Sequence, residues 1–329
     1  MVSNRTDNKA ESNRVSREAR KRDTAARAAW LYYIAGNTQE EIARRMSISR
    51  PAVQRLIAQA TSEGLIKMRL DHPISACMEL AEELQQRFEL GFCQVVPSDP
   101  AHPEMVKGLA VCAADCLESY LVREQPVTLA LGTGRAMRMS VDEVSTMQRP
   151  QHRIVSLVGT MALDGSASPY EVVMRLADRV GAQRFPMAAP VIAGSPEDRE
   201  TLFNHPFILR VRELVAQADA AFVGVGHLQA GGPLHTDGFI TAGELADLQA
   251  HGAVGDILGW AFDREGQLIR GSMNLRVVGV PLPELRQRPL IGVAGGPRKV
   301  PPLRAALGGR LLWGLITDEV AARGILDRN

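Results

Sequence analysis

The sequence predicts an α/β protein: a small helix-turn-helix head joined to a large domain built on a mainly parallel sheet. Three observations predict it. Charge is divided unevenly along the 329 residues. Helix caps and apolar spacings between residues 23 and 70 mark short helices around a tight turn. Further along, apolar runs of strand length alternate with helical segments.

Residues 1–70 hold 14 Lys and Arg against 7 Asp and Glu, while the remainder holds 24 against 30. A basic end on an acidic body is the layout expected when one end meets a polyanion. A solvated basic tail gives the same count, so the charge matters only with the pattern that follows. Residues 1–22 are polar, lack an apolar period and are expected to form a disordered basic tail. Asp23 to Ala35 reads as a helix carrying Trp30, Leu31, Tyr33 and Ile34, ended by Gly36. Thr38 caps a second helix, with Glu41 three residues on as a capping box. Ser47 and Ile48 make a tight turn. Ser49 caps a third helix with Pro51 in its first turn.

The third helix carries Val53, Leu56, Ile57 and Ala60 as one apolar stripe, and Arg50, Gln54, Arg55 and Gln59 on its other faces. Two short helices, a turn and a helix with outward basic and amide groups make a helix-turn-helix. Its last helix lies in the major groove, where Arg and Gln read guanine and adenine edges. Thr38, Gln39, Ser49, Arg50, Gln54 and Arg55 are the candidate DNA-facing residues. Gly64 to Leu70 is expected to be a closing strand, so the head spans 23–72.

Residues 73–103 read as a linker, with a helix at 80–90 and a Pro/Asp loop. The large domain is expected over 104–329. It opens with a long helix, Glu104 to Glu124. Strands are expected at 127–134, 153–159, 220–226, 290–296 and 311–317. Helices are expected from Ser168 to Arg179, within 196–217, after a cap made by Thr241 with Glu244, after 296, and from Asp318. Buried strands alternating with helices imply a parallel sheet covered on both faces. Such sheets bind ligands beyond the carboxyl ends of their strands.

Two strand-end loops have suitable chemistry. Gly132-Thr133-Gly134-Arg135 offers exposed N–H groups, a hydroxyl and a helix N-terminus, a cradle for an anion or polyol. Ala294-Gly295-Gly296-Pro297-Arg298-Lys299 repeats the arrangement and adds two cations. Glycines at strand ends also serve simply as tight turns, and neither loop has the spacing of a nucleotide phosphate loop or dinucleotide fingerprint. Asp256 stands in an apolar, glycine-rich segment where an unpaired carboxylate would be costly. It accepts either from a ligand hydroxyl or from local backbone N–H groups. His227 and His235 are loop histidines with no further ligands converging in sequence, so no metal role is assigned. Cys77, Cys93, Cys112 and Cys116 form no CxxC pair and read as buried free thiols of a reducing cytoplasm.

These segments together resemble the SorC (sorbitol-operon regulator-like) family of sugar-binding transcription regulators. The resemblance is carried by TQEEIARRMSISRPAVQRLIAQATSEGLI, LALGTGR, SLVGTM, AAFVGVG, GAVGDILGWAFDREG, NLRVVGV and IGVAGGPRKVPPLRAALGGRLLWGLITDEVAARGIL, in family order from about residue 25. It implies an effector domain of the sugar-isomerase/CoA-transferase-like (NagB/RpiA-like) type that no longer catalyses, and homotetramers holding paired operators. It also implies that Gly132, Thr133 and Gly134, and Lys299 of the second loop, face the effector's phosphate or terminal hydroxyls, and that Asp256 faces sugar hydroxyls. Arg135, Gly295 and Gly296 complete the candidate set. Where many relatives carry a hydroxyl residue, this chain has Ala136. A phosphate would have one donor fewer, so an unphosphorylated polyol or sugar stays open.

The expected partners are operator DNA, a sugar, polyol or sugar-phosphate effector, and further copies of the chain. No cofactor and no membrane are expected: no run of about 18 apolar residues exists, and the polar N-terminus is no secretory signal. Aromatics at 5% argue against a single-strand binder. The alternative is a sugar-phosphate isomerase or deaminase with an appended head. That enzyme needs a positioned base beside its phosphate cradle. Asp256 is available, but no acid–base pair is anchored by spacing, and the head would have no role. A non-catalytic scaffold has no need of the glycine-lined strand ends.

Overall fold

The structure is a computed structural model, and the residues described are 20–65, 75–98, 107–162, 165–271 and 273–327. The chain divides into two units, Met1–His72 and Pro73–Asn329.

The smaller unit contains α1 (residues 20–33), α2 (Gln39–Met46) and α3 (Arg50–Ser62). The capping box at α2 is complete: Thr38 Oγ1 accepts from the Glu41 N–H, and the Glu41 carboxylate accepts from the Thr38 N–H at 2.8 Å. Ser47 turns the chain with left-handed backbone, φ 55°. Pro51 sits in the first turn of α3, but the Ser49 hydroxyl makes no capping bond. Ala28, Ile42, Val53 and Ile57 form the unit's core.

The first helix differs from expectation in two ways. Residues 20–22, expected in the disordered tail, are helical. Its buried face is Ala25, Ala28 and Ala29, while Trp30 and Ile34 are 55% and 67% exposed. The physical reason is spacing. Consecutive apolar residues from 30 to 34 fan around a helix, whereas alanines at i, i+3 and i+4 share one face. Ala25 and Ala29 pack with Ala60 of α3, and Ala28 with Ile42, Val53 and Ile57. The tail residues 1–19 and most of the expected closing strand lie outside the described residues.

In chain order the larger unit comprises α4 (Ser75–Phe88), β1 (Phe92–Val96), α5 (Lys107–Leu121), β2 (Thr128–Leu131), α6 (Arg135–Glu143), β3 (Arg153–Met161), α7 (Val172–Val180) and β4 (Gln183–Pro190). Then come α8 (Pro196–Phe203), α9 (Pro206–Val215), β5 (Ala220–Gly224), β6 (Gly226–His227), α10 (Pro233–Thr236), α11 (Ala242–Ala250), β7 (Gly255–Ile257) and β8 (Trp260–Phe262). Last are α12 (Leu282–Leu285), β9 (Leu290–Val293), α13 (Val300–Gly308), β10 (Gly314–Asp318) and α14 (Glu319–Leu326). Seven strands form one parallel sheet in the order β1-β10-β9-β5-β2-β3-β4. β6, β7 and β8 form a small antiparallel sheet. Two apolar clusters cover the parallel sheet, as its fully buried strands require.

The structure differs from the sequence expectation in several elements. The supposed linker contains α4, with Leu84 fully buried, and the edge strand β1, paired in register with β10 from Phe92–Gly314 to Val96–Asp318. The helix expected from Ser168 begins at Val172. Residues 196–217 hold two helices, broken before Pro206. β4, which carries Pro186 and Pro190, is a strand the sequence reading does not include. At a sheet edge, prolines are tolerated. β7 and β8 have three residues each, too short to show a period.

Candidate effector site and nucleic-acid interface

Strand order decides where the site lies. β9, β5 and β2 are neighbours. The loops after β2 and β9 therefore flank the end of β5, and a cavity opens between them. Thr133, Gly134 and Arg135 line one side, Ala294, Gly295 and Lys299 the other, with Asp256 and Gly224 to Gly226 between. Val158, Val191, Leu234, Phe239 and Leu258 supply apolar wall.

Each polar group has a local cause. Gly134, at φ 117°, occupies the N-cap of α6 in a conformation side chains resist. It offers no capping side chain, so first-turn N–H groups of α6 remain available to a ligand. Lys299 is half-buried and its Nζ donates to the Val225 carbonyl at 2.7 Å. It is thus a wall residue, not a solvated surface lysine. Asp256, on β7, is 9% exposed. Its carboxylate accepts from the Gly259 N–H at 3.3 Å. Its pKa is raised, because burial outweighs the lowering pull of the Lys299 ammonium and the Gly259 bond. Gly226 is opposite Asp256 in the antiparallel pair, where a Cβ would collide with the carboxylate.

Two predicted site residues do not reach this cavity wall. Gly132 donates its N–H to the Phe222 carbonyl at 2.8 Å and lines a neighbouring cavity. The two cavities meet at Thr133, whose hydroxyl is 3.4 Å from that of Ser168. Gly296 is turned inward, donating its N–H to the Asp318 carboxylate. Asp318 also caps α14 through the Ala321 N–H at 2.8 Å. That bond seats the second loop.

Arg135 is less simple than the sequence implied. Its guanidinium donates to the Tyr170 hydroxyl at 3.4 Å, the Thr236 hydroxyl at 3.1 Å and the Asp237 carboxylate at 3.3 Å. Tyr170 donates to the other oxygen of Asp237. Burial and the Asp237 bond push the tyrosine's pKa up to about 12. Tyr170 and Asp237 line the cavity, and nothing in the sequence marked them. His227 is buried, and its Nδ1 has no partner among the described residues. Burial, then the cations of Lys299, Arg298 and Arg135, push its pKa down to about 4.

In the smaller unit, Thr38, Ser49, Arg50, Gln54 and Arg55 are exposed and Gln39 half-buried. Arg50 and Gln54 stand one turn apart on α3, away from Val53, Ile57 and Ala60. The Thr38 hydroxyl is engaged with Glu41 in the capping box. Arg44 and Arg45, in the last turn of α2, add exposed cations.

Residues 72–327 match the family model described as "Putative sugar-binding domain". The erythritol catabolism regulatory protein EryD of Brucella abortus (strain 2308) is 30% identical over 302 residues, 92% of this chain and 96% of EryD. The chain belongs to the SorC family of sugar-binding transcriptional regulators. The transcriptional regulator LsrR of Klebsiella pneumoniae subsp. pneumoniae is 32% identical over 308 residues, 92% of this chain and 93% of LsrR. The full-length sorbitol operon regulator SorC from Klebsiella pneumoniae shares the fold, with a TM-score of 0.72 at 23% identity, covering 92% of this chain and 98% of that one. These SorC-family relatives are transcriptional regulators and not enzymes, which sets the isomerase alternative aside.

Proposed function

We propose that this SorC-family protein controls a carbohydrate or polyol catabolic operon. In this reading, α3 enters the major groove of operator DNA, with Arg50, Gln54 and Arg55 reaching base edges. Thr38, Gln39 and Ser49 contact the backbone. A sugar, polyol or sugar-phosphate effector occupies the cavity beyond β2, β5 and β9. The observation that carries this is the convergence of two loops, remote in sequence, on one cavity holding Lys299, Asp256 and the uncapped start of α6. The names of EryD and SorC, referring to erythritol catabolism and the sorbitol operon, support a polyol or sugar operon. The parallel sheet with ligand loops at its carboxyl edge supports the sugar-isomerase/CoA-transferase-like (NagB/RpiA-like) type. Occupancy of the cavity shifts the population between states of different operator affinity. The protein acts in the cytoplasm as a homotetramer.

The test is a thermal-shift screen of the full chain against polyols, sugars and their phosphates, followed by operator footprinting with each hit. A ligand that binds the native state must raise the melting temperature. If no compound does so, or if hits leave the footprint unchanged, the reading fails.

A further inference from the structure

Among the described residues that line the effector cavity, the cations are Arg135 and Lys299 and the acids are Asp237 and Asp256. The two pairs are built differently. Arg135 is tied to Asp237 by a 3.3 Å ion pair, and Asp237, 12% exposed in its side chain, is further held by Tyr170. Lys299 lines the same cavity as Asp256 and donates one of its ammonium protons to the Val225 carbonyl. Two cations and two acids thus share the lining, and the guanidinium of one pair is already answered by a carboxylate. To this the α6 N-terminus adds a partial charge of about half a unit. Ala136, the second residue of α6, puts a methyl group on the wall and no hydroxyl donor.

Resting on the effector-site reading above, we propose that the ligand is a neutral polyhydroxy compound, and that Asp237 and Asp256 select it over its phosphate ester. Three features besides the charge balance agree. Asp256 is a buried acceptor facing the cavity with one 3.3 Å backbone donor, suited to accepting from ligand hydroxyls. Thr133 presents a hydroxyl that donates and accepts. In the same lining, Val191, Leu234 and Phe239 suit the C–H face of a carbon chain or ring and offer a phosphate nothing. A phosphate dianion placed here would lie beside the Asp237 carboxylate, which is largely buried, and there like charges repel more strongly than in water.

The experiment is calorimetric titration of the full chain with matched pairs: ribitol against ribitol 5-phosphate, and glucose against glucose 6-phosphate. In the native protein, the tighter-binding neutral compound is expected to exceed its ester by about tenfold or more. Asp237→Asn and Asp256→Asn each remove one carboxylate, and each is expected to move that ratio at least about tenfold toward the ester. Tyr170→Phe loosens the same cluster without changing charge and is expected to leave the ratio within about threefold, even if both affinities fall. A native protein that prefers the esters overturns the charge-selection proposal alone. So does an unchanged ratio in both asparagine variants while they melt like the native protein. Failure of every compound to bind overturns the effector-site reading and this proposal with it.

Discussion

Single residues carry the most direct consequences. Lys299 holds a full charge against the Val225 carbonyl at the cavity wall. Removing one charge-assisted bond to a ligand costs about 1.5–3 kcal/mol. Lys299→Met is therefore expected to weaken effector binding roughly ten- to a hundredfold, while operator affinity without effector stays unchanged. Calorimetry and anisotropy on the same preparation check both halves, and an unaltered effector affinity removes Lys299 from the site. His227 gives a pH consequence. Its pKa falls from 6.5 to about 4 on folding. Between those values the unfolded chain binds more protons than the folded one, so stability declines as pH falls through that window. The carboxylates lowered on folding, Glu41 and Glu244, lose their contribution only below about pH 4.5. His227→Gln is expected to flatten the melting-temperature profile between pH 6.5 and 4.5. Parallel profiles for the two proteins would show that another group sets the slope.

At the scale of elements, α2 and α3 carry the operator reading. Arg50→Ala and Arg55→Ala are expected to weaken operator binding by about 1–3 kcal/mol where the side chain reads a base, and to relax discrimination there. Footprints unchanged in both variants would place another surface against the DNA. These helices were legible in the sequence because their signals are local: the Thr38–Glu41 box, the Ser47–Ile48 turn, Pro51 and the stripe of Val53, Ile57 and Ala60 all lie within a few residues of what they determine. The strands β2, β3, β5 and β9 were legible as apolar runs with glycine ends. β1 and β4 were not, because edge strands carry polar residues and prolines and so lose the buried signature. The same limit applies at the site. The glycine loops and Asp256 stood out by composition, while Tyr170 and Asp237 are joined only by the fold, 67 residues apart. Gly132 and Gly296 matched the pattern and serve the loops' own backbone.

As a whole, the molecule joins a basic helix-turn-helix unit to a sugar-binding domain. A helix-turn-helix protein reads paired half-sites as a symmetric assembly. Light scattering at micromolar concentration is expected to give a multiple of the 35.8 kDa chain mass. A monomer, with and without operator, would contradict the assembly. The central claim is that occupancy of this one cavity sets operator affinity. Allosteric couplings of this kind amount to about 1–3 kcal/mol, or roughly 5- to 150-fold. The most direct measurement is operator anisotropy, titrated with and without the polyol or sugar that most raises the melting temperature, on native protein and Asp256→Ala. A shift of operator affinity of about fivefold or more in the native protein, abolished in a variant that still binds operator, is the result predicted. The same shift at the same ligand concentration in both proteins would contradict it.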